Sequence, residues 1–238
     1  MGFHPAAGES KSPKMLLIAG LSGTDAKEAE VVASGGVDAG LVLNESFKVE
    51  GVNQVIDALG DIPLGVFLRD VGAERVAELV SSGCDFVVFD TKVSVAMLSQ
   101  TEIGKFLVVE PSLDQGLVRA IDSLDIDGVL INRGKESFIT VEHVLTCQRF
   151  RGLVDKPLVA ILPSLATDVE LNNLWRAGVD AVVVPPSQPT EALAELRRTI
   201  DNLPRRTERR QGKLGVVIPQ YAGGMAAEEE EEEEEEDI

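Results

Sequence analysis

One short phrase occurs four times along the 238-residue chain: Gly or Asp, an apolar residue, Asp, and then an apolar run of β-forming residues. The copies begin at Gly36, Gly83, Asp125 and Gly178 and read GVDAGLVLN, GCDFVVFD, DIDGVLIN and GVDAVVVP. A glycine at the start fits the left-handed backbone position that ends a helix, and a continuous apolar run is typical of a strand buried on both faces. The phrase therefore predicts four parallel strands, each entered from a helix.

A second series of apolar runs lies between the copies and predicts four further strands. They read MLLIAG from Met15, DIPLGVFL from Asp61, KFLVVEP from Lys105 and DKPLVAILP from Asp155. Segments with helical periodicity follow the strands in turn, at residues 24–34, 52–59, 72–82, 93–104, 113–123, 140–150, 167–177 and 190–203.

The alternation makes eight β-then-α units, and the repeated phrase marks every even strand. The repeating unit is therefore βαβα, recurring four times at intervals of 42 to 53 residues. Eight such units joined by right-handed crossovers predict an α/β fold, a closed (β/α)8 TIM barrel, with an open doubly wound sheet as the alternative. The Asp of each phrase would lie at the amino-terminal face of the barrel, so we expect structural roles for Asp38, Asp85, Asp127 and Asp180.

Active sites of such barrels lie at the carboxyl ends of the strands, so polar residues that follow the apolar runs are the candidates. The predicted catalytic residues are Lys92, Asp90 and Glu110. The predicted substrate-binding residues are Arg69, Asp70, Asn44, Glu45, Asn132, Arg133, Ser164 and Ser187. Neighbouring strands lie about 4.8 Å apart, so these side chains can converge on one small molecule.

The densest cluster suggests a division of labour. We expect Lys92 to begin a helix, where the macrodipole disfavours a cation and so favours a neutral, nucleophilic amine. The lysine would form a Schiff base or donate a proton, while Asp90 or Glu110 moves protons and Arg69 or Arg133 binds an anionic group. The alternative is that Asp90 or Thr91 only caps the helix and Lys92 points into water.

The fold and the fourfold repeat resemble the phosphate-binding (β/α)8 barrels, over about residues 15–203. The resemblance implies an enzyme of the aldolase, epimerase or decarboxylase kind, with phosphate bound at glycine-rich turns after strands seven and eight. Here those turns, 162–168 and 184–190, contain no glycine, and three prolines remove N–H donors from the second. The usual phosphate site is therefore altered.

Two narrower resemblances involve Lys92. The stretch DTKVSV is similar to the Asp-x-Lys-x-x-Asp motif of orotidine-phosphate decarboxylases and hexulose-phosphate synthases at Asp90 and Lys92, but Val95 replaces the second Asp. Lys92 also resembles, in strand number, the Schiff-base lysine of transaldolase-like barrels. Both resemblances are partial: the first motif here follows the fourth strand, unlike in that group, and in the transaldolase-like barrels the lysine lies within the strand, whereas Lys92 follows it.

Composition argues against several other functions. The net charge is −18, and residues 1–204 carry 17 Lys and Arg against 29 Asp and Glu, which disfavours binding to nucleic acid. Two cysteines and two histidines lack the spacing of a metal or redox motif, so no cofactor is predicted and a divalent metal is unsupported. With no apolar run of about 20 residues and no export signal, we expect a cytoplasmic protein without membrane contact.

The chain divides into a flexible leader, residues 1–14, the barrel, residues 15–204, and a tail, residues 205–238. The tail is basic, then apolar at Leu214–Tyr221, and ends in polyglutamate, so we expect most of it to be disordered.

The predicted function is that of a lyase of the aldolase or decarboxylase type, or an isomerase, acting on a small anionic metabolite. The alternative is a catalytically silent barrel that serves as a scaffold, with the acidic tail binding a protein partner; self-association into a homo-oligomer is compatible with either role.

Overall fold

Eight parallel strands close on themselves in chain order. The computed structural model describes residues 14–44, 47–69, 73–132 and 136–206. The strands are β1 Leu16–Leu21, β2 Ala39–Val42, β3 Leu64–Leu68, β4 Phe86–Phe89, β5 Gly104–Val109, β6 Gly128–Ile131, β7 Leu158–Ile161 and β8 Ala181–Val184. Each pairs with the next, and β8 pairs with β1 in a register that places Leu16 opposite Ala181. The predicted (β/α)8 barrel is confirmed, and an open sheet is excluded because the strands close.

Seven α-helices alternate with the strands in the described part of the chain. They are α1 Ala26–Ala33, α2 Val49–Leu59, α3 Ala73–Ser81, α4 Gln115–Ala120, α5 Val141–Arg151, α6 Asp168–Ala177 and α7 Thr190–Asp201. A short 3-10 helix at Ile121–Ser123 extends α4.

The predicted α-helix at residues 93–104 is wrong, because the segment forms only a 3-10 helix at Val95–Ser99. Its residues are poor helix formers, since Val and Thr are β-branched and Ser competes for backbone hydrogen bonds. Gln100 already adopts an extended conformation, and β5 begins four residues later.

The four repeated aspartates fasten the strands together in pairs. Each carboxylate accepts a hydrogen bond from the N–H of a residue near the start of the preceding odd strand, and its own N–H donates to that residue's carbonyl. The pairs, with the carboxylate distance, are Asp38 with Leu17 at 2.7 Å, Asp85 with Leu64 at 2.8 Å, Asp127 with Lys105 at 2.7 Å and Asp180 with Leu158 at 2.9 Å. These four aspartate clamps confirm the structural role predicted for the phrase.

The glycines that open three of the four phrases also behave as predicted. Gly36, Gly83 and Gly178 have φ angles of 73°, 85° and 100°, the left-handed region that L side chains disfavour. Each glycine lies between the end of a helix and the next strand, two residues before the aspartate of the clamp. The phrase therefore encodes one helix-to-strand junction that recurs along the chain.

The barrel is filled by side chains. Its interior cluster includes Ile18, Leu41, Val88, Val108, Leu130, Val159 and Val183. Phe86 and Phe106 pack edge to face inside it, with ring centroids 5.4 Å apart, and a Cβ on Gly65 would lie only 2.0 Å from the Phe86 ring. A separate, larger cluster packs the helices onto the outside of the strands. The room for a ligand is therefore at the mouth of the barrel.

The ends of the described chain lie together at the amino-terminal face. The ammonium group of Lys14 donates to the carbonyl oxygens of Asp201 and Leu203. The Arg206 guanidinium stacks on the Trp175 ring at 3.6 Å and pairs with Asp180 at 2.7 Å. The predicted leader up to residue 13 and the tail from residue 207 lie outside the described residues. No helix among the described residues is long and apolar enough to cross a membrane.

Candidate functional site

A cavity of about 320 Å³ opens at the carboxyl ends of the strands. Its polar wall comes from the ends of β3 to β6 and consists of Arg69, Asp90, Glu110 and Asn132. The remaining wall is apolar and consists of Leu43, Phe67, Val108, Ile161, Leu162, Val184, Pro185 and Pro186. We call this space the mouth cavity. Its two-sided lining suits a small ligand with a polar end and an apolar end.

An adjoining cavity of about 350 Å³ shares three of the polar residues. Arg69, Asp90 and Glu110 line both spaces, and Thr91, Lys92 and Leu113 complete the second. Four of the predicted site residues described by the structure, Arg69, Asp90, Glu110 and Asn132, therefore meet in one place, with Lys92 beside them.

The polar residues on β3 and β4 are positioned by their own chain segments. Arg69 follows β3 directly, and its guanidinium lies 5.8 Å from the centroid of the Phe67 ring. Asp90 follows β4, and its Oδ1 accepts a hydrogen bond from the N–H of Lys92 at 2.8 Å. This local turn holds the Asp90 carboxylate at the rim of the cavity.

Glu110 and Asn132 form a pair across neighbouring strands. The register of β5 and β6 places Val109 opposite Ile131, so the residue after each strand lies beside the other. Asn132 Nδ2 donates to Glu110 Oε1 at 3.1 Å. Glu110 is exposed and lines both cavities, so its carboxylate is open to a ligand at the mouth.

Lys92 departs from the expectation about its helix. The α-helix that would have placed it at a positive dipole end does not form, and the 3-10 helix at Val95–Ser99 is capped by Ser94 instead. Lys92 is exposed and lines only the adjoining cavity. The predicted macrodipole effect on Lys92 is therefore wrong, and any nucleophilic role must depend on a ligand that reaches the adjoining cavity.

The other predicted binding residues are dispersed. Asn44 and Ser164 are exposed and line neither cavity. Ser187 lies in the turn after β8, where it donates to the carboxylate of Glu28. The remaining predictions, Glu45, Asp70 and Arg133, lie outside the described residues.

Glu28 is a feature that sequence analysis missed. It is the third residue of α1, and nothing about a glutamate in the first turn of a helix distinguishes it from an ordinary helix-stabilising acid. Its carboxylate nevertheless bridges the turns after β1 and β8 at the rim. The arrangement could be found only once the barrel had brought those turns together.

The described residues contain no cluster of three or more His, Cys, Asp and Glu side chains that could hold a metal ion. Cys84 and Cys147 are free and buried, and burial raises the pKa of each thiol to about 12. Neither cysteine lines the cavities at the mouth, and neither is ionised near neutral pH, so we assign them to the core.

No protein-family model matches the chain, and no curated protein matches it significantly. Solved structures do resemble it. A tryptophan synthase alpha-subunit from Pyrococcus furiosus has a TM-score of 0.61 at 14% identity, covering 81% of this chain and 98% of that one. The P. furiosus tryptophan synthase a2b2 complex gives 0.61 at 13%, covering 81% and 98%. Tryptophan synthase from M. tuberculosis gives 0.61 at 12%, covering 79% and 91%.

The chain shares their barrel fold. The comparison thereby confirms the closed (β/α)8-barrel architecture. Sequence identities of 12 to 14% show a shared fold and nothing more. The chemistry therefore depends on the residues at the mouth of the barrel.

Proposed function

We propose that this protein is a (β/α)8-barrel enzyme, a lyase of the aldolase or decarboxylase type or an isomerase, that acts on a small anionic metabolite in the mouth cavity. The observation that carries the proposal is the convergence of Arg69, Asp90, Glu110 and Asn132 on one cavity. A cavity of about 320 Å³ is within the range that binds small metabolites. The tryptophan synthase fold neighbours support an enzyme of this architecture.

The residues of the polar wall suit complementary roles. Arg69 supplies a permanent positive charge with which to bind a carboxylate or a similar anionic group of the ligand. In this proposal Glu110, which accepts a hydrogen bond from Asn132, removes a proton from the ligand, and Asp90 or Lys92 returns one. Proton removal and return are the steps that lyase and isomerase reactions share.

The apolar wall has its own part in the proposal. Phe67, Ile161 and Val184 contribute surface that excludes water from one side of the ligand. Exclusion of water strengthens the electrostatic contacts on the opposite, polar side. We therefore expect a ligand whose charged group faces Arg69 and whose less polar part faces the prolines after β8.

The test combines ligand binding with turnover. We would screen anionic and phosphorylated metabolites by thermal unfolding of the wild type, Arg69→Ala, Glu110→Gln and Glu102→Gln, the last being an exposed glutamate before β5. A ligand at about 100 times its Kd adds about 2.7 kcal/mol of stability, or about 5–10 °C in Tm. We expect that shift in the wild type, Glu110→Gln and Glu102→Gln, and its loss in Arg69→Ala.

Turnover of the same ligand then distinguishes binding from catalysis. We expect Glu110→Gln to lower kcat by about 10²- to 10⁴-fold and Glu102→Gln to leave it unchanged. Borohydride trapping with Lys92→Ala as control tests for a Schiff base. If no metabolite raises the Tm of the wild type, or if all four proteins respond equally, the proposed site is wrong.

A non-catalytic role as a subunit of an assembly is the second candidate. Four large apolar side chains near α4 and α5 are exposed: Leu117 by 59%, Phe138 by 58%, Val141 by 77% and Leu145 by 59%. One structure with the same fold is the α-subunit within a complex whose subunits activate each other. Exposed apolar groups of this size favour protein contact, which could accompany either role.

A further inference from the structure

The carboxylate of Glu28 is held where β1 and β8 meet. Its Oε2 accepts hydrogen bonds from the Ser22 N–H at 2.9 Å and the Ser22 hydroxyl at 2.6 Å. Its Oε1 accepts from the Ser187 N–H at 2.9 Å and the Ser187 hydroxyl at 3.2 Å. Two turns at the rim thus direct four donors at a single anionic group, and we call Ser22 and Ser187 the serine cradle.

The side chain of Glu28 does not make the hydrogen bond that is usual at its position in a helix, because it binds the serine cradle instead. A glutamate three residues after an N-cap often accepts from the N-cap N–H, as Glu170 does from Thr167 at the start of α6. Asp25 caps α1 through the N–H of Lys27. Glu28, in the corresponding place, extends away from its helix to the two serines.

The backbone around the cradle brings the donors together. Ser187 has a φ angle of 61°, and it is the one residue other than glycine with a positive φ among those the structure describes. This conformation is disfavoured for L-residues and here aims the Ser187 N–H at the carboxylate. At Gly20 a Cβ would lie 2.6 Å from the Val184 carbonyl oxygen, so a glycine is needed for β1 and β8 to approach this closely.

We propose that the serine cradle is an anion-binding site for phosphate groups that Glu28 fills from within, so that Glu28 excludes phosphate from this rim of the mouth. Carboxylates and phosphates present paired oxygens to donors in similar geometry, so donors that fit one also fit the other. A phosphate arriving beside Glu28 would find the four donors occupied and would be repelled by the carboxylate. Glu28 is then a specificity residue that selects ligands without phosphate on the β8 side.

The inference goes beyond the proposed reaction, because phosphate binding is measured without substrate or turnover. The probe is inorganic phosphate, titrated at constant ionic strength into wild type, Glu28→Ala and Glu30→Ala. Glu30 is exposed on the same helix, so its replacement removes the same charge and leaves the cradle filled. The readout is the chemical shift of the Ser22 and Ser187 amides in ¹H–¹⁵N spectra.

We expect saturable shifts of both amides in Glu28→Ala, with a Kd at least about tenfold below any seen for wild type or Glu30→Ala. The proposal is overturned if folded Glu28→Ala shows no saturable shift, or if all three proteins bind phosphate equally. Should Glu28→Ala fail to fold, Glu28→Gln preserves the size of the side chain and removes its charge. That variant must then bind phosphate more tightly than wild type, and equal binding overturns the proposal.

Discussion

Burial of the His143 side chain makes the stability of the fold depend on pH. It lies on α5, half-buried, and its Nε2 has no hydrogen-bond partner among the described residues. Burial lowers the pKa of its imidazole below the usual 6.5 because the charged form loses hydration. Protonation of His143 is therefore unfavourable in the folded protein. The side chain does not line the mouth cavity, so we assign it a structural role.

The sign of its effect on stability follows from linkage. Between the lowered pKa of His143 and 6.5 the unfolded chain binds a proton that the folded chain does not, so stability falls as pH decreases below 6.5. We expect urea unfolding of His143→Gln to show a weaker loss of stability than wild type between pH 7.5 and pH 5.5. An NMR titration that gives His143 a pKa at or above 6.5, or equal losses in the two proteins, would contradict this.

The residues of the polar wall were largely predictable and their partners were not. Arg69, Asp90, Glu110 and Asn132 each follow an apolar strand, and the topology of a parallel barrel places such residues at one end. The hydrogen bond from Asn132 to Glu110 depends on the register of β5 and β6, which no local pattern encodes. Glu28 was missed because its function arises from two turns separated by most of the chain.

Among the secondary-structure elements, the aspartate clamps join neighbouring strands in the same way four times. Each clamp contributes two hydrogen bonds between an odd strand and the even strand that follows. Asp38 and Asp180 also pair with arginines, Arg197 for the first and Arg151 and Arg206 for the second. Asp85 has no such ion pair among the described residues, so it isolates the contribution of the clamp.

We expect Asp85→Ala to lower the free energy of unfolding by about 1 kcal/mol, since it removes a charge-assisted hydrogen bond to the Leu64 N–H at a partly solvated site. Asp57→Ala, at an exposed position on α2, should change it by less than about 0.5 kcal/mol. Urea denaturation of both variants measures the difference. Equal losses would show that the clamp contributes nothing beyond ordinary surface charge.

Strands were more predictable than helices for a physical reason. Each strand is buried on both faces, so its apolar run is continuous and its existence is evident from composition alone. The helix expected after β4 depended on a weaker periodic pattern, in which only Met97 of the 3-10 helix at Val95–Ser99 is buried. One buried residue provides too little packing to extend the turn against poor intrinsic propensity.

On the scale of the whole molecule, the exposed apolar residues of α5 predict self-association. Val141 and Leu145 lie one helical turn apart and point away from the buried Cys147 and Phe150. We expect sedimentation to show an oligomer for wild type and a monomer for the double variant Val141→Lys, Leu145→Lys. The control, Val169→Lys, places one lysine, against two in the double variant, at an exposed valine on α6 and should keep the oligomer.

A monomeric wild type at high concentration would rule out self-association through this face. A control variant that dissociates as readily as the double variant would show that added positive charge, and not the loss of apolar contact on α5, separates the subunits. Because the net charge is −18, each added lysine lowers the negative charge of the chain and weakens the repulsion between copies, so greater net repulsion cannot explain dissociation of the double variant.

The aspartate clamps divide the barrel into four pairs of strands. They join β1 to β2, β3 to β4, β5 to β6 and β7 to β8, so each lies within one βαβα unit. Lys14 contacts Leu203, so the two ends of the barrel are already adjacent. A circular permutant joined across those ends and reopened near Gly60, between α2 and β3, would keep each clamp within a continuous stretch of chain. The order in which the four units are connected is thus separable from the barrel that they form.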